Sequence, residues 1–433
     1  MKKIIPGRMP VIAWLTGIMF LAVIHPVKPQ GDIQAIGKYL CIDYKPFFPI
    51  GLYHLPDKRT DDGIWKEVAD AGFNYLLSNE SGRYGIYVSK PIPWKEIDGQ
   101  RFNLMELYRD DSFLGELKSF LEENEDDPTM LCWHAPDEPS WFGPTSTVLR
   151  QGYEAIKKYS EKPVWLNIGP SFTERKHYNS AHEFLEACDV LSEDIYPIPD
   201  GKRKEGQGYN INTYLVGEHT DRLVKMGSIN EAQHKPIWMV LQGFGWGDFE
   251  VFNNPKDFIP PSKHEMRYMA YDAIVHGATG LIWYGPFDTK SDENHIEFWK
   301  NLKDMASELK ELYPVLTCPN ELLPEKINFL KEDGSKAEHL KCKIKLLKDR
   351  VVVIVVNTRS EPLQNVTINL LAENEAQLTK VRALTEEREL EVTDNISWTD
   401  DFDEYGVHIY ETDIYFNFMR RYYTAPVEAE EDE

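Results

Sequence analysis

Cysteine is scarce in this chain. Its five, Cys41, Cys132, Cys188, Cys318 and Cys342, are scattered with no CxxC pair among them. An odd, dispersed set argues against a disulfide scaffold and against a zinc cluster. Several fall in apolar strand-like runs, where a free thiol serves as a small buried hydrophobe. Positive charge is short as well. Lys and Arg total 48 against 71 Asp and Glu, for a formal net charge of −23. Such a surface repels nucleic acid and anionic membrane, so neither is an expected partner. No metal-ligand spacing such as HExxH occurs, and no catalytic metal or other cofactor is expected. No GxGxxG follows the first strand, which counts against a dinucleotide-binding sheet. Long apolar runs are also missing. The run at 11–24 falls short of the ~20 residues of a membrane span.

That run has another reading. Lys2, Lys3 and Arg8 precede it, and a positive segment before a short apolar one is the pattern of a secretory signal. We expect residues 1–30 to be this signal and the protein to be secreted or periplasmic. No clean small-x-small triplet marks a cleavage site, so an uncleaved anchor stays open. No cysteine follows closely, which argues against a lipoprotein.

Beyond residue 31 the pattern is repetitive. Short apolar runs at 47–54, 73–78, 84–89, 130–135, 163–168, 188–195, 236–241 and 280–284 read as strands. Between them lie segments with helical spacing. The first has Asp61 or Asp62 near its N-cap, Ile64, Trp65, Val68 and Ala69 on one face, and Gly72 to close it. Eight strands alternating with helices predict parallel βαβ units, and their span matches a (β/α)₈ barrel of ~250 residues. From about residue 320 the helical period fades. The runs 351–356, 366–370 and 407–410 predict a small antiparallel β-sandwich. The expected organisation is a barrel over 31–317, a sandwich over 318–420, and a disordered acidic tail over 421–433.

Reactive groups in such a barrel stand at the C-terminal ends of its strands. Those ends carry His54, Asn79-Glu80, Asp137-Glu138, Glu193-Asp194 with Tyr196, Gln242, and Tyr284 with Asp288. Aromatic side chains crowd the same positions: Trp133, Trp141, Tyr196, Phe244, Trp246, Trp283, Tyr284 and Phe287. An acidic mouth lined with aromatic rings suits neutral sugars, which offer hydroxyl donors and apolar ring faces. The stretch at 130–139, MLCWHAPDEP, stands out, because Pro136 and Pro139 flank two adjacent carboxylates. Proline biases the residue before it toward extended geometry, which predicts a stiff strand end. A carboxylate beside another has its pKa raised, as a general acid working near neutral pH needs. The plainer possibility is that Asp137 or Glu138 caps the following helix. Trp283 reads more as barrel filler, with Tyr284 facing the other way.

Four stretches together resemble the retaining glycoside hydrolases of the β-galactosidase and cellulase clan. They are 46–51 with 71–74, Asp137-Glu138-Pro139 after the fourth strand, 194–197 after the sixth, and 273–284 through the last helix and strand. The resemblance spans 46–312. It implies a glycosidase acting on a poly- or oligosaccharide, with Glu138 as general acid/base where the clan has Asn-Glu-Pro. It also implies a nucleophilic Glu at the end of strand seven, where this chain has Gln242. Three readings stay open. Asp194 or Glu193 is the second carboxylate; or the substrate assists itself at Asp137-Glu138; or the barrel binds carbohydrate without cleaving it. His54, Glu80, Trp133, Tyr196, Gln242, Trp246, Trp283 and Tyr284 are the candidate sugar contacts.

Overall fold

A computed structural model describes residues 32–170, 181–198, 215–230, 233–249, 260–285, 287, 293–348, 350–370, 377–394 and 396–415. The signal at 1–30 and the tail at 421–433 lie outside the described residues, as does Asp288.

Eight parallel strands close a barrel. They are β1 (Ile50–Leu52), β2 (Tyr75–Leu77), β3 (Tyr87–Pro91), β4 (Met130–His134), β5 (Val164–Ile168), β6 (Val190–Ile195), β7 (Ile237–Gln242) and β8 (Gly280–Tyr284). Each pairs with the next, and β8 pairs with β1. The helices around them are α1 (Asp62–Ala71), α2 (Asp111–Asn124), α3 (Ser146–Ile156), α4 (Leu215–Gly227), α5 (Lys263–Val275) and α6 (Glu293–Glu311). Local chemistry sets the ends of α1. The Asp61 carboxylate accepts from the Ile64 N–H, and Gly72 closes the helix at φ 112°, a left-handed conformation in which a Cβ is disfavoured. The segment expected to be a helix after β5 is 3₁₀ over Ala181–Ala187.

Strand alternation sorts the side chains into two cores. Outward residues, among them Leu52, Trp133, Leu166, Leu191, Met239 and Trp283, pack with the helices. Inward residues, among them Tyr53, Tyr75, Trp165, Trp238 and Ile282, fill the barrel. Gly51 makes room for one of them, since a Cβ there would meet Cδ1 of Tyr75 at 2.4 Å. Ile33, Leu40 and Phe47 join the same inner cluster. They come from a three-stranded antiparallel sheet (Ile33–Ile36, Tyr39–Ile42, Lys45–Phe47) that runs directly into β1 and closes the barrel floor.

The C-terminal part is two facing antiparallel sheets, one of six strands and one of three. Its central strand, Arg350–Asn357, serves two cores. Val351, Val353 and Val355 face the three-stranded sheet. Val352, Ile354 and Val356 join the barrel's outer cluster with Tyr268 and Met269 of α5. A strand buried on both faces explains the unbroken run of branched residues there.

Candidate active site

The C-terminal mouth of the barrel is lined by inward residues one position past, or at, the strand ends. The alternation that turns Trp165 into the barrel also turns Asn167 inward. In the same way Ser192 and Asp194 face in together, while Glu193 between them faces out. There Glu193 is fully buried against α4, paired with His219 and, at 2.6 Å, with Nη2 of Arg222.

The chain after β4 does not continue as a strand. Residues 135–138 form a turn, and Glu138 has φ 45° and ψ 47°. This corrects the extended geometry expected from Pro139. A left-handed conformation costs a non-glycine residue roughly 1–2 kcal/mol. It is held by the Glu138 N–H, which donates to the Asn167 carbonyl at 3.0 Å, and by Ser140 Oγ, which accepts from the Gly169 N–H at 3.1 Å. Neither acid caps the helical turn that follows. Glu138 occupies the cap position with no side-chain cap bond, and the Asp137 carboxylate is engaged elsewhere.

That carboxylate ends a chain of hydrogen bonds. Tyr53 O–H donates to Asp137 Oδ1 at 2.7 Å, and Asn167 Nδ2 donates to the same oxygen at 3.0 Å. Asn167 also reaches Asp194 Oδ1 at 3.4 Å. Its orientation is fixed from behind. Trp165 Nε1 donates to Ser192 Oγ at 2.7 Å, so the Ser192 hydroxyl proton is free to bond Asn167 Oδ1 at 2.8 Å, which turns the amide N–H₂ toward the acids. On the other side, His134 Nε2 lies 3.2 Å from the Tyr53 oxygen. Tyr53 spends its single proton on Asp137, so His134 supplies the proton in that bond. Burial holds the His134 imidazole neutral, its pKa lowered to about 4.

Asp194 and Glu138 sit within hydrogen-bonding reach of one another. Burial raises the Glu138 pKa to about 7, and the Asp137 charge adds to the rise. Burial also raises Asp194 well above the ordinary carboxyl range, helped by the charges of Glu138 and Asp137. Two carboxyls this close, Asp194 buried and Glu138 half-buried, hold protons to higher pH than free carboxyls do. Asp137 itself is exposed to the cleft.

Aromatic rings frame the acids. Tyr284 packs edge-on to Tyr53 and stacks on Tyr196 with centroids 5.8 Å apart. Phe244 and Trp246 extend this wall beside Tyr196, and exposed His54 lies edge-on to Tyr284 at the rim.

Two solved structures share this architecture. A family 5 glycoside hydrolase from Bacteroides vulgatus superposes with a TM-score of 0.54 at 14% identity, over 88% of this chain and 93% of that one. A second, described as a glycoside hydrolase, gives 0.56 at 14% identity over 88% of this chain and 97% of that one. The chain shares the barrel fold of these glycoside hydrolases. No protein-family model and no curated protein sequence matches it.

The structure thus brings together Asp137, Glu138, Asp194, Tyr196, Tyr284 and His54, with Trp246 in the adjoining wall. It corrects four of the expected sugar contacts. Trp133 and Trp283 are fully buried on the outward face of their strands; Trp133 Nε1 donates to Ser160 Oγ, and Trp283 packs on Phe73. Gln242 is also fully buried, and its amide is committed to backbone. Oε1 accepts from the Ile198 N–H at 2.8 Å, while Nε2 donates to the Ile198 and Phe244 carbonyls, each at 3.1 Å. Glu80 forms a local ion pair with Arg83 at 2.9 Å, and no contact among the described residues joins it to the acids. Glu193, the alternative second carboxylate, is excluded by the face it occupies. The reading of the sequence missed Tyr53, His134 and Asn167. Each lies an even number of strand positions from an inward residue, and that parity was the available signal.

Proposed function

We propose that this protein hydrolyses glycosidic bonds in an oligo- or polysaccharide, with Glu138 as the general acid/base. The observation that carries this reading is the Glu138 carboxyl. It sits at the catalytic end of the fourth strand, exposed enough to meet a ligand and protonated up to pH about 7. A glycosidase acid must bring a proton to the leaving oxygen and then serve as the base for water. Its surroundings supply the means. Burial and the Asp137 charge keep it protonated, and the tyrosine wall offers flat apolar faces to a pyranose ring.

The proposal makes a directional prediction. Glu138→Gln slows hydrolysis of a natural glycoside by about 10²–10⁴-fold, the usual contribution of a general acid. It slows an activated aryl glycoside far less, because a good leaving group needs little protonation. Equal loss on both substrates would remove Glu138 from the acid role. Saturable oligosaccharide binding with no product from the wild-type chain would instead make the barrel a binding module.

A further inference from the structure

Among the described residues the site has an acid but no free nucleophile. Gln242, at the end of β7, is uncharged and clipped to the Ile198 and Phe244 backbone. Glu193 points away into α4. Asp194 touches Glu138, whereas a glycosidase carboxylate pair stands ~5–5.5 Å apart for retention and ~6.5–9.5 Å apart for inversion, because the anomeric centre, or that centre and a water, must fit between. Among the described residues, the carboxylates that act on both Tyr196 and Tyr284 at the mouth are Asp137, Glu138 and Asp194. This leaves Asp137. It is next to the acid in the chain. Its Oδ1 is clamped by Tyr53 and Asn167. Among the described residues nothing donates to its Oδ2, which is exposed to the cleft. A fixed carboxylate with one open acceptor is built to receive an N–H or O–H from the ligand.

We propose that the substrate is a glycoside bearing a 2-acetamido group, whose carbonyl oxygen serves as the nucleophile while Asp137 receives its N–H. This rests on the hydrolytic reading above and narrows it to N-acetylhexosaminides. In the first step the Glu138 proton passes to the glycosidic oxygen as the C1–O bond breaks. The acetamide oxygen bonds to C1, and the amide proton passes to Asp137, leaving a neutral oxazoline. In the second step water bonds to C1 and gives its proton to Glu138. The bond from C1 to the acetamide oxygen breaks, and nitrogen recovers its proton from Asp137. Every bond and proton is returned, with no oxidant or further reactant.

The test uses the full chain with p-nitrophenyl N-acetylglucosaminides and N-acetylgalactosaminides of both anomers, beside the parent glucosides and galactosides. It also measures calorimetric binding of the thiazoline analogues of the two oxazolines. Expected are turnover confined to acetamido substrates, thiazoline binding, and an Asp137→Asn variant that loses roughly 100-fold in kcat/KM, the cost of one transition-state partner. Asparagine can keep its oxygen toward Tyr53 and Asn167 and turn an N–H₂ to the cleft, so the variant should melt as the wild type does. Parent hexosides cleaved as fast as acetamido sugars would overturn the substrate class and leave the glycosidase standing. No turnover with Asp137-dependent thiazoline binding would keep the substrate class and overturn hydrolysis. Neither turnover nor thiazoline binding would overturn both.

Discussion

Asp194 shows what a single side chain does to this site. Its folded-state pKa is raised, so the stability it permits is fully present below its unfolded value and is lost as pH rises through the folded one. The Glu138–Asp194 pair therefore costs more stability in alkali than in acid. Asp194→Asn removes one titrating member while keeping an oxygen for Asn167. The variant should gain about 1–3 kcal/mol over wild type at pH 8 and much less at pH 5, measured by urea unfolding at the two pH values. An asparagine N–H₂ facing Glu138 also favours its ionised form. The alkaline limb of kcat/KM should accordingly move to lower pH, and an unmoved limb would separate Asp194 from the acid. The single residues themselves were partly legible. Asp137, Glu138 and Asp194 stood out because adjacent acids at strand ends are conspicuous. Tyr53 and Asn167 did not, because a lone tyrosine beside a more noticeable histidine, and an asparagine inside an apolar run, acquire meaning only once strand parity is tracked.

At the scale of elements, β7 explains why its terminal glutamine is no disabled nucleophile. Gln242 ties the end of β7 to the segment that leaves β6, donating to two carbonyls and accepting from one N–H. Only an amide can do both. Gln242→Glu would set a buried carboxylate oxygen against the carbonyls of Ile198 and Phe244. The expected cost is about 3 kcal/mol with no gain in turnover, read by thermal melting and by activity on the same preparation. A gain in hydrolysis would reinstate β7 as the nucleophile strand. The eight strands were readable from short apolar runs at regular spacing. The hairpin Trp94–Ile97 and Gln100–Asn103 was not picked out, although Asp98-Gly99 between its arms announces it. Both turn residues have positive φ, 51° and 76°, as the two-residue turn that matches strand twist requires. Its short polar arms carry too little apolar alternation to compete with the barrel pattern.

Across the whole molecule the barrel and the sandwich share a wall. The sequence divides them clearly by a change of period near residue 320. It does not reveal that the valine-rich strand Arg350–Asn357 faces both, since a strand buried on two sides has the same composition whichever neighbours cover it. Ile354→Ala opens a cavity between that strand and α5, and should cost about 2–5 kcal/mol. Because the wall is common, tryptophan fluorescence and far-ultraviolet circular dichroism should still report one coincident urea transition, shifted as a whole. Two separated transitions would make the halves independent folding units.

Polar contacts run along the same seam. Arg267 of α5 bonds the Val407 carbonyl at 2.8 Å and Thr385 Oγ1 at 2.9 Å on the sandwich side, while pairing with Glu308 of α6. On the ribosome, all eight barrel strands emerge before the strand that covers α5 is made. Until then Tyr268, Met269 and their neighbours have no lid, and the nascent barrel presents an apolar flank to whatever is nearby. The order of synthesis therefore leaves this apolar flank uncovered until the strand at 350–357 has been made.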